Sequence, residues 1–116
     1  MLKLSASVRA TLLANGRLQR DAEGRSLDLT PVVKVFSPDA GATWLLTEID
    51  PDNPDMAFGL ADLGLGCPEL GYVSLRELAA VRGRMGLSLE VDRYFRPDRP
   101  LSAYAAAARA AGRIVT

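Results

Sequence analysis

Near the N-terminus the apolar residues Val8, Leu12 and Leu13 recur at helical spacing behind Ser5 and Ser7. Either serine can cap a first helix, which should run to about Asn15 with Gly16 as its stop. Residues 17–29 are polar, with Gly24 among them, and read as a loop. From Pro31 the period changes. Residues 32–36 are short and β-branched, 43–49 form a second strand and 56–63 a third. They are separated by the Pro- and Gly-containing turns 37–41 and 50–55. Short turns between consecutive strands favour an antiparallel meander.

Residues 64–68 break regular structure, and 71–73 can add a short strand. Ser74 and Glu77 make a capping box, so a helix should follow to about Met85, ended by Gly86. Residues 87–92 alternate as a half-buried strand does. After the 96–100 loop, Ser102 is placed to cap an alanine-rich helix over 103–111, closed by Gly112. The tail 113–116 can add a strand. Strands and helices segregate along the chain, which predicts one α+β domain over 1–116. Its small antiparallel sheet would hold a three-strand meander plus one or two further strands, packed with three helices.

The 116 residues are 48% hydrophobic and 24% charged, enough for a core without disulfides or metals. The sequence has no histidine, which excludes the Ser-His-Asp triad, the Cys-His pair, histidine general-base chemistry and His-containing zinc sites. The lone Cys67 cannot form an intramolecular disulfide, lacks a neighbouring base, and reads as a small buried apolar residue. Arg9 interrupts the N-terminal apolar residues before a signal-peptide core develops, and no apolar run approaches the ~20 residues of a membrane span. Together with the absence of disulfides, this predicts a cytoplasmic protein with no membrane partner.

Charge is zero overall but unevenly placed. No Lys or Arg lies between Val35 and Leu75, a stretch holding Asp39, Glu48, Asp50, Asp52, Asp55, Asp62 and Glu69. The flanks carry net charges of +3 and +4 around this segment of −7. One reading has the basic helices partly neutralising an acidic sheet, with aspartates serving turns. The other reading is an acidic surface formed by all seven groups and offered to a basic protein partner. Twelve of the fourteen cations are arginine, which suits bidentate recognition and equally follows from a G+C-rich coding bias.

No catalytic set, metal ligand set or cofactor fingerprint emerges. Glu48, Asp50, Asp52, Asp55 and Asp62 are oxygen donors of the type Mg²⁺ and Ca²⁺ use, and a metal enzyme built on Glu48, Asp50 and Asp62 is one alternative. The 50–61 run fails as a calcium loop, with Asp55 where glycine is required and Ala61 where glutamate is. The glycines at 59, 64 and 66 lack the Lys-Ser/Thr of a phosphate loop. Arg82, Arg84, Arg93, Tyr94, Phe95, Arg96 and Arg99 interleave cations with aromatic rings, the composition of a nucleic-acid surface, diluted by Glu90, Asp92 and Asp98. Trp44, Phe58 and Tyr72 are expected in the core.

Residues 33–51, 57–64, 68–74 and 100–104 together resemble a bacterial domain-of-unknown-function family carried on plasmids, conjugative elements and phage-related islands. The resemblance covers nearly the whole chain after residue 5 and brings no residue roles. It implies a mobile-element accessory protein. The resulting expectation is a non-enzymatic protein that binds a host or element protein through the acidic surface, in a counter-defence role of the antirestriction or anti-CRISPR type. Nucleic-acid binding through the 82–99 region is the alternative. Oligomeric state is open.

Overall fold

The computed structural model describes residues 2–116. Its elements are α1 (Ala6–Arg20), β1 (Val33–Phe36), β2 (Thr43–Ile49), β3 (Met56–Asp62), β4 (Glu69–Ser74), α2 (Leu75–Ala80), β5 (Glu90–Val91) and α3 (Leu101–Ala111). The five strands form one sheet in the order β4-β3-β2-β1-β5, each neighbour antiparallel. This is the expected α+β architecture, with the meander at its centre.

β2 is buried along almost its whole length because both faces of the sheet are covered. Trp44, Leu46 and Ile49 lie on one face with Val33, Val35 and Ala57, against Leu12 of α1 and Leu78 of α2. Leu45 and Leu60 lie on the other, against Leu101, Tyr104, Ala105 and Ala108 of α3. Fully burying a leucine such as Leu45 contributes about 2 kcal/mol. The alanines of α3 let that helix lie close to the sheet.

Several boundaries differ from the sequence reading. Gly16 does not end α1. It lies inside the helix, where a Cβ would fall 1.8 Å from the Ile49 carbonyl oxygen, so glycine marks a point of close approach of α1 to β2. The helix continues one more turn to Arg20. Conversely, α2 stops at Ala80, and Gly86, at φ 77°, turns a hairpin-like loop bridged by Arg82 and Ser88. β5 keeps only two residues of the expected strand 87–92, and the tail 113–116 adds no strand. β4 is longer than expected, because Glu69 and Leu70 also pair with β3.

Side-chain caps differ in the same way. Ser74 does cap α2, accepting the Glu77 amide at 3.1 Å. Ser102 does not cap α3. Asp28, from the 21–32 segment, accepts the Ser102 amide at 3.0 Å and the Ser102 hydroxyl as well. A residue 74 positions away thus meets the orphan donors of that helix. No helix among the described residues is long and apolar enough to cross a membrane.

Candidate functional site at one end of the sheet

The seven acidic residues do not form one surface. Asp62 pairs with Thr43, and Glu69 with Ala61, at the end of the sheet where β2 begins and where Asp39 precedes it. Glu48, Asp50, Asp52 and Asp55 lie around the β2–β3 turn at the opposite end. The seven residues of β2, roughly 20 Å, separate the groups. The expectation of a continuous acidic face is therefore corrected to two separate ends. The set Glu48, Asp50 and Asp62 is divided likewise, and among the described residues no group of three Asp, Glu or Cys could hold a metal ion.

At the far end the carboxylates are occupied by backbone amides. Asp62 is 3% exposed; it accepts the Gly64 amide at 2.9 Å and, with its second oxygen, the Ile114 amide at 2.9 Å. Asp39 accepts the Met85 amide at 2.7 Å and the Ser37 hydroxyl at 3.1 Å. Desolvation opposes ionisation of Asp39, but the hydrogen bonds from Met85, Ser37 and Leu87 outweigh it and hold its pKa below the usual carboxylate range. Glu69 is exposed.

At the near end, Asp55 is also structural. It accepts the Ser74 hydroxyl at 2.5 Å and the Arg76 amide at 2.9 Å, which lowers its pKa, the serine contributing most. Asp50 accepts the Asp52 amide within the turn, and Asp52 meets Arg20 at 3.5 Å in an exposed pair of little energetic weight.

Glu48 is different. It is 6% exposed, yet its hydrogen bonds reach only Oε1, from Gln19 at 3.2 Å and from the Thr47 hydroxyl at 3.1 Å. Oε2 has no hydrogen-bond partner among the described residues, and it is not sealed from solvent either. Burial pushes the Glu48 pKa up; Thr47 and Gln19 pull the other way, and the nearby Asp50 adds to the rise. The residue lines a cleft of about 390 Å³ with Gln19, Arg20, Arg25, Asp50 and Tyr72, and a second of about 300 Å³ with Asp28, Leu70 and Ser102. Ser26 and Phe58 are common to both, so the clefts form one groove between the 24–29 segment and the β3–β4 face.

Local sequence builds this groove in three ways. A register shift between Leu46 and Glu48 inserts Thr47 as a bulge and turns Glu48 toward the α3 side, opposite Phe58. Asn15 of α1 donates to the Thr47 carbonyl at 2.8 Å and fixes the bulge. In the added last turn of α1, Gln19 donates to the Leu27 carbonyl at 2.7 Å and accepts the Leu27 amide at 2.9 Å, which holds the 21–30 segment over Glu48. Reading Gly16 as a stop left Gln19 in a loop and hid this clamp. The signal that could have found it is the Asn15-to-Gln19 spacing of four, which puts two amides on one helical face.

Of the three aromatic residues expected in the core, Trp44 is buried, Phe58 is half-buried and Tyr72 is 59% exposed. Tyr72 stands edge-on to Phe58 with ring centroids 5.1 Å apart. Desolvation and the charges of Glu48 and Asp50 raise its pKa. Cys67 is exposed, because the β3–β4 loop projects past the sheet; this corrects the expectation that it is buried.

The basic set is also divided. Arg82 bonds the carbonyls of Ala79 and Val81 at the end of α2, and Arg84 lies in the 83–87 loop beside Asp39. On the other side of β5, Arg96 bonds the Arg93 and Phe95 carbonyls, while Arg99 pairs with Asp98 and lies 5.3 Å over the Tyr104 ring. Arg93 and Tyr94 are exposed, Tyr94 at 81%.

The fold and site define a small α+β protein with a groove floored by a buried, half-satisfied carboxylate. The chain belongs to the family described as Protein of unknown function (DUF2958), whose model matches residues 3–115. No curated protein and no solved structure matches it.

Proposed function

We propose that this chain is a non-enzymatic binding protein that engages a basic surface on a host or element-encoded protein through the near end of its sheet. The carrying observation is Glu48, buried among α1, the 24–29 segment and β3, which lines the groove and whose second oxygen meets no hydrogen-bond donor among the described residues. Asp50 and the ring of Tyr72 stand beside it, so a guanidinium or ammonium group would find both a charge-assisted acceptor and an aromatic face. Asp39, Asp55 and Asp62 leave the proposed interface, since their oxygens already serve amides and hydroxyls. In the mobile-element setting that the family resemblance suggests, the partner would be a defence or DNA-processing complex, and the role counter-defence.

Affinity capture from host lysate, with partners identified by mass spectrometry, tests this reading. Joint charge reversal of Asp50 and Asp52 to lysine should lose the partner that the unaltered chain retains, while Glu90→Lys on β5, an exposed residue at the opposite edge of the sheet, should keep it. Retention by both variants would overturn the assignment.

A second reading keeps one specific observation. Tyr94 projects from the sheet edge between the exposed Arg93 and Arg96, a stacking ring flanked by cations. If it binds nucleic acid, retention on single-stranded DNA or RNA at low salt should fall steeply as salt rises. A lack of retention at low salt would remove that reading.

A further inference from the structure

The sheet has two edges of unequal character. At one, β5 is two residues long and lies between loops. At the other, β4 runs for six residues in unbroken register with β3 and carries no lysine, proline or bulge, the usual devices that keep an edge from pairing. The Leu75 amide bonds the Asp55 carbonyl at 2.7 Å, which sets the phase of the ladder. By antiparallel alternation, Glu69, Gly71 and Val73 face β3, while Leu70 and Tyr72 direct their N–H and C=O groups outward.

The side chains of those same two residues lie on the α3 side, 41% and 59% exposed, next to the Glu48 groove. Leu63 and Leu65, in the adjoining loop, are 59% and 79% exposed. At Gly71 no atom lies within 4 Å of where a Cβ would sit, so that face of the strand is open.

We propose that β4 is a docking strand: an extended segment of the partner adds to the sheet antiparallel to it, with an apolar side chain over Leu70 and an arginine over Tyr72 directed toward the Glu48 groove. This rests on the proposed reading of the acidic end and names how the partner is held. Main-chain bonds to Leu70 and Tyr72 supply affinity, and the side chains over the α3 face supply selectivity. A second copy of the chain is the less suitable occupant. Pairing about Gly71 would set Leu70 against the second copy's Tyr72, but it would also set Glu69 of each copy opposite Val73 of the other. That position lies beside the carboxylate-rich turn, so like charges would gather. A basic strand complements the same charges.

The experiment uses the full chain and two capped peptides, Thr-Thr-Arg-Thr-Val-Thr and Thr-Thr-Glu-Thr-Val-Thr, whose third and fifth side chains share one face as the partners of Tyr72 and Leu70 would, followed by amide NMR. The basic peptide should bind saturably and shift the Leu70 and Tyr72 amides, and the acidic peptide should not. Leu70→Pro removes an outward N–H and leaves the β3 ladder intact, so it should abolish binding. Leu70→Thr keeps that N–H and should retain binding. Glu48→Gln should weaken the basic peptide by about tenfold.

Unchanged binding to the Leu70→Pro variant, or equal binding of both peptides, would overturn the docking strand. A concentration-dependent dimer that Leu70→Pro abolishes would overturn the choice of occupant in favour of a second copy. If Leu70→Pro abolishes peptide binding while the Asp50 and Asp52 reversals leave partner capture intact, the strand stands and the acidic reading falls.

Discussion

Asp62 and Glu48 are both acidic, both over nine-tenths buried, and sit at opposite ends of the same sheet. Asp62 has each oxygen bonded to a backbone amide, one from its own loop and one from Ile114 beyond α3. Glu48 has one oxygen held by side chains and the other facing a groove. Burial alone therefore does not mark a functional acid. What separates the two is whether the fold supplies donors for all the lone pairs it takes out of water. Asp62 is a tie between strand and tail, whereas Glu48 keeps one oxygen without a donor among the described residues.

The largest effect should come from removing the satisfied group. Asp62→Ala leaves the Gly64 and Ile114 amides without acceptors and should cost about 3 kcal/mol of unfolding free energy in urea denaturation. Hydrogen exchange at Ile114 should accelerate with it. Asp62→Asn, which keeps an acceptor oxygen, should cost less. If Asp62→Ala proves neutral, the contrast drawn between the two acids fails at its structural end.

Gln19 sharpens the comparison from the other side, because it is what partly satisfies Glu48. Its amide bonds both polar backbone groups of Leu27 as well as Glu48 Oε1. Gln19→Ala should cost about 1–2 kcal/mol, reduced a little by the better helix propensity of alanine. The Leu27 amide should exchange faster. Losing a donor to the ionised carboxylate should also raise the Glu48 pKa further, readable by carboxyl ¹³C titration.

Much of the architecture was legible in the chain. Strand 43–49 was placed to the residue, because the turns on either side are dense in proline, glycine and aspartate. The serine cap at Ser74 was equally plain, since its signal is local, although Glu77 makes no return bond among the described residues and only half of the expected box forms. The site was less legible, and for a physical reason. The 39–69 segment announces seven carboxylates, but pairing β2 with β3 sends them to opposite ends, a consequence of register that no composition window contains. The bulge at Thr47, which aims Glu48, depends on Asn15 more than thirty residues earlier. Gly16 misled because glycine has two uses, as a helix stop and as a point of close approach. Only the Ile49 carbonyl distinguishes them.

The smallest effect is expected at Glu48 itself, and its sign is opposite. The folded-state pKa lies above the ordinary glutamate value, so over that interval the native state binds more proton than the unfolded state. Stability therefore falls as pH rises from the ordinary glutamate range through the raised value, beyond which the ionised group remains a fixed cost. Glu48→Gln keeps an acceptor for Gln19 and Thr47 and removes the buried charge. At neutral pH it should stabilise the protein by roughly 1 kcal/mol or less. The gain should shrink as acid protonates the unaltered chain, while Asp39 and Asp55, whose lowered values act in the reverse sense, withdraw stability from both proteins equally as pH falls through them. Paired urea titrations across pH test this, because the difference between the two proteins isolates Glu48. A Glu48→Gln variant that is destabilised at neutral pH would mean the carboxylate is as fully satisfied at home as Asp62, and the groove would lose its reason to bind a cation.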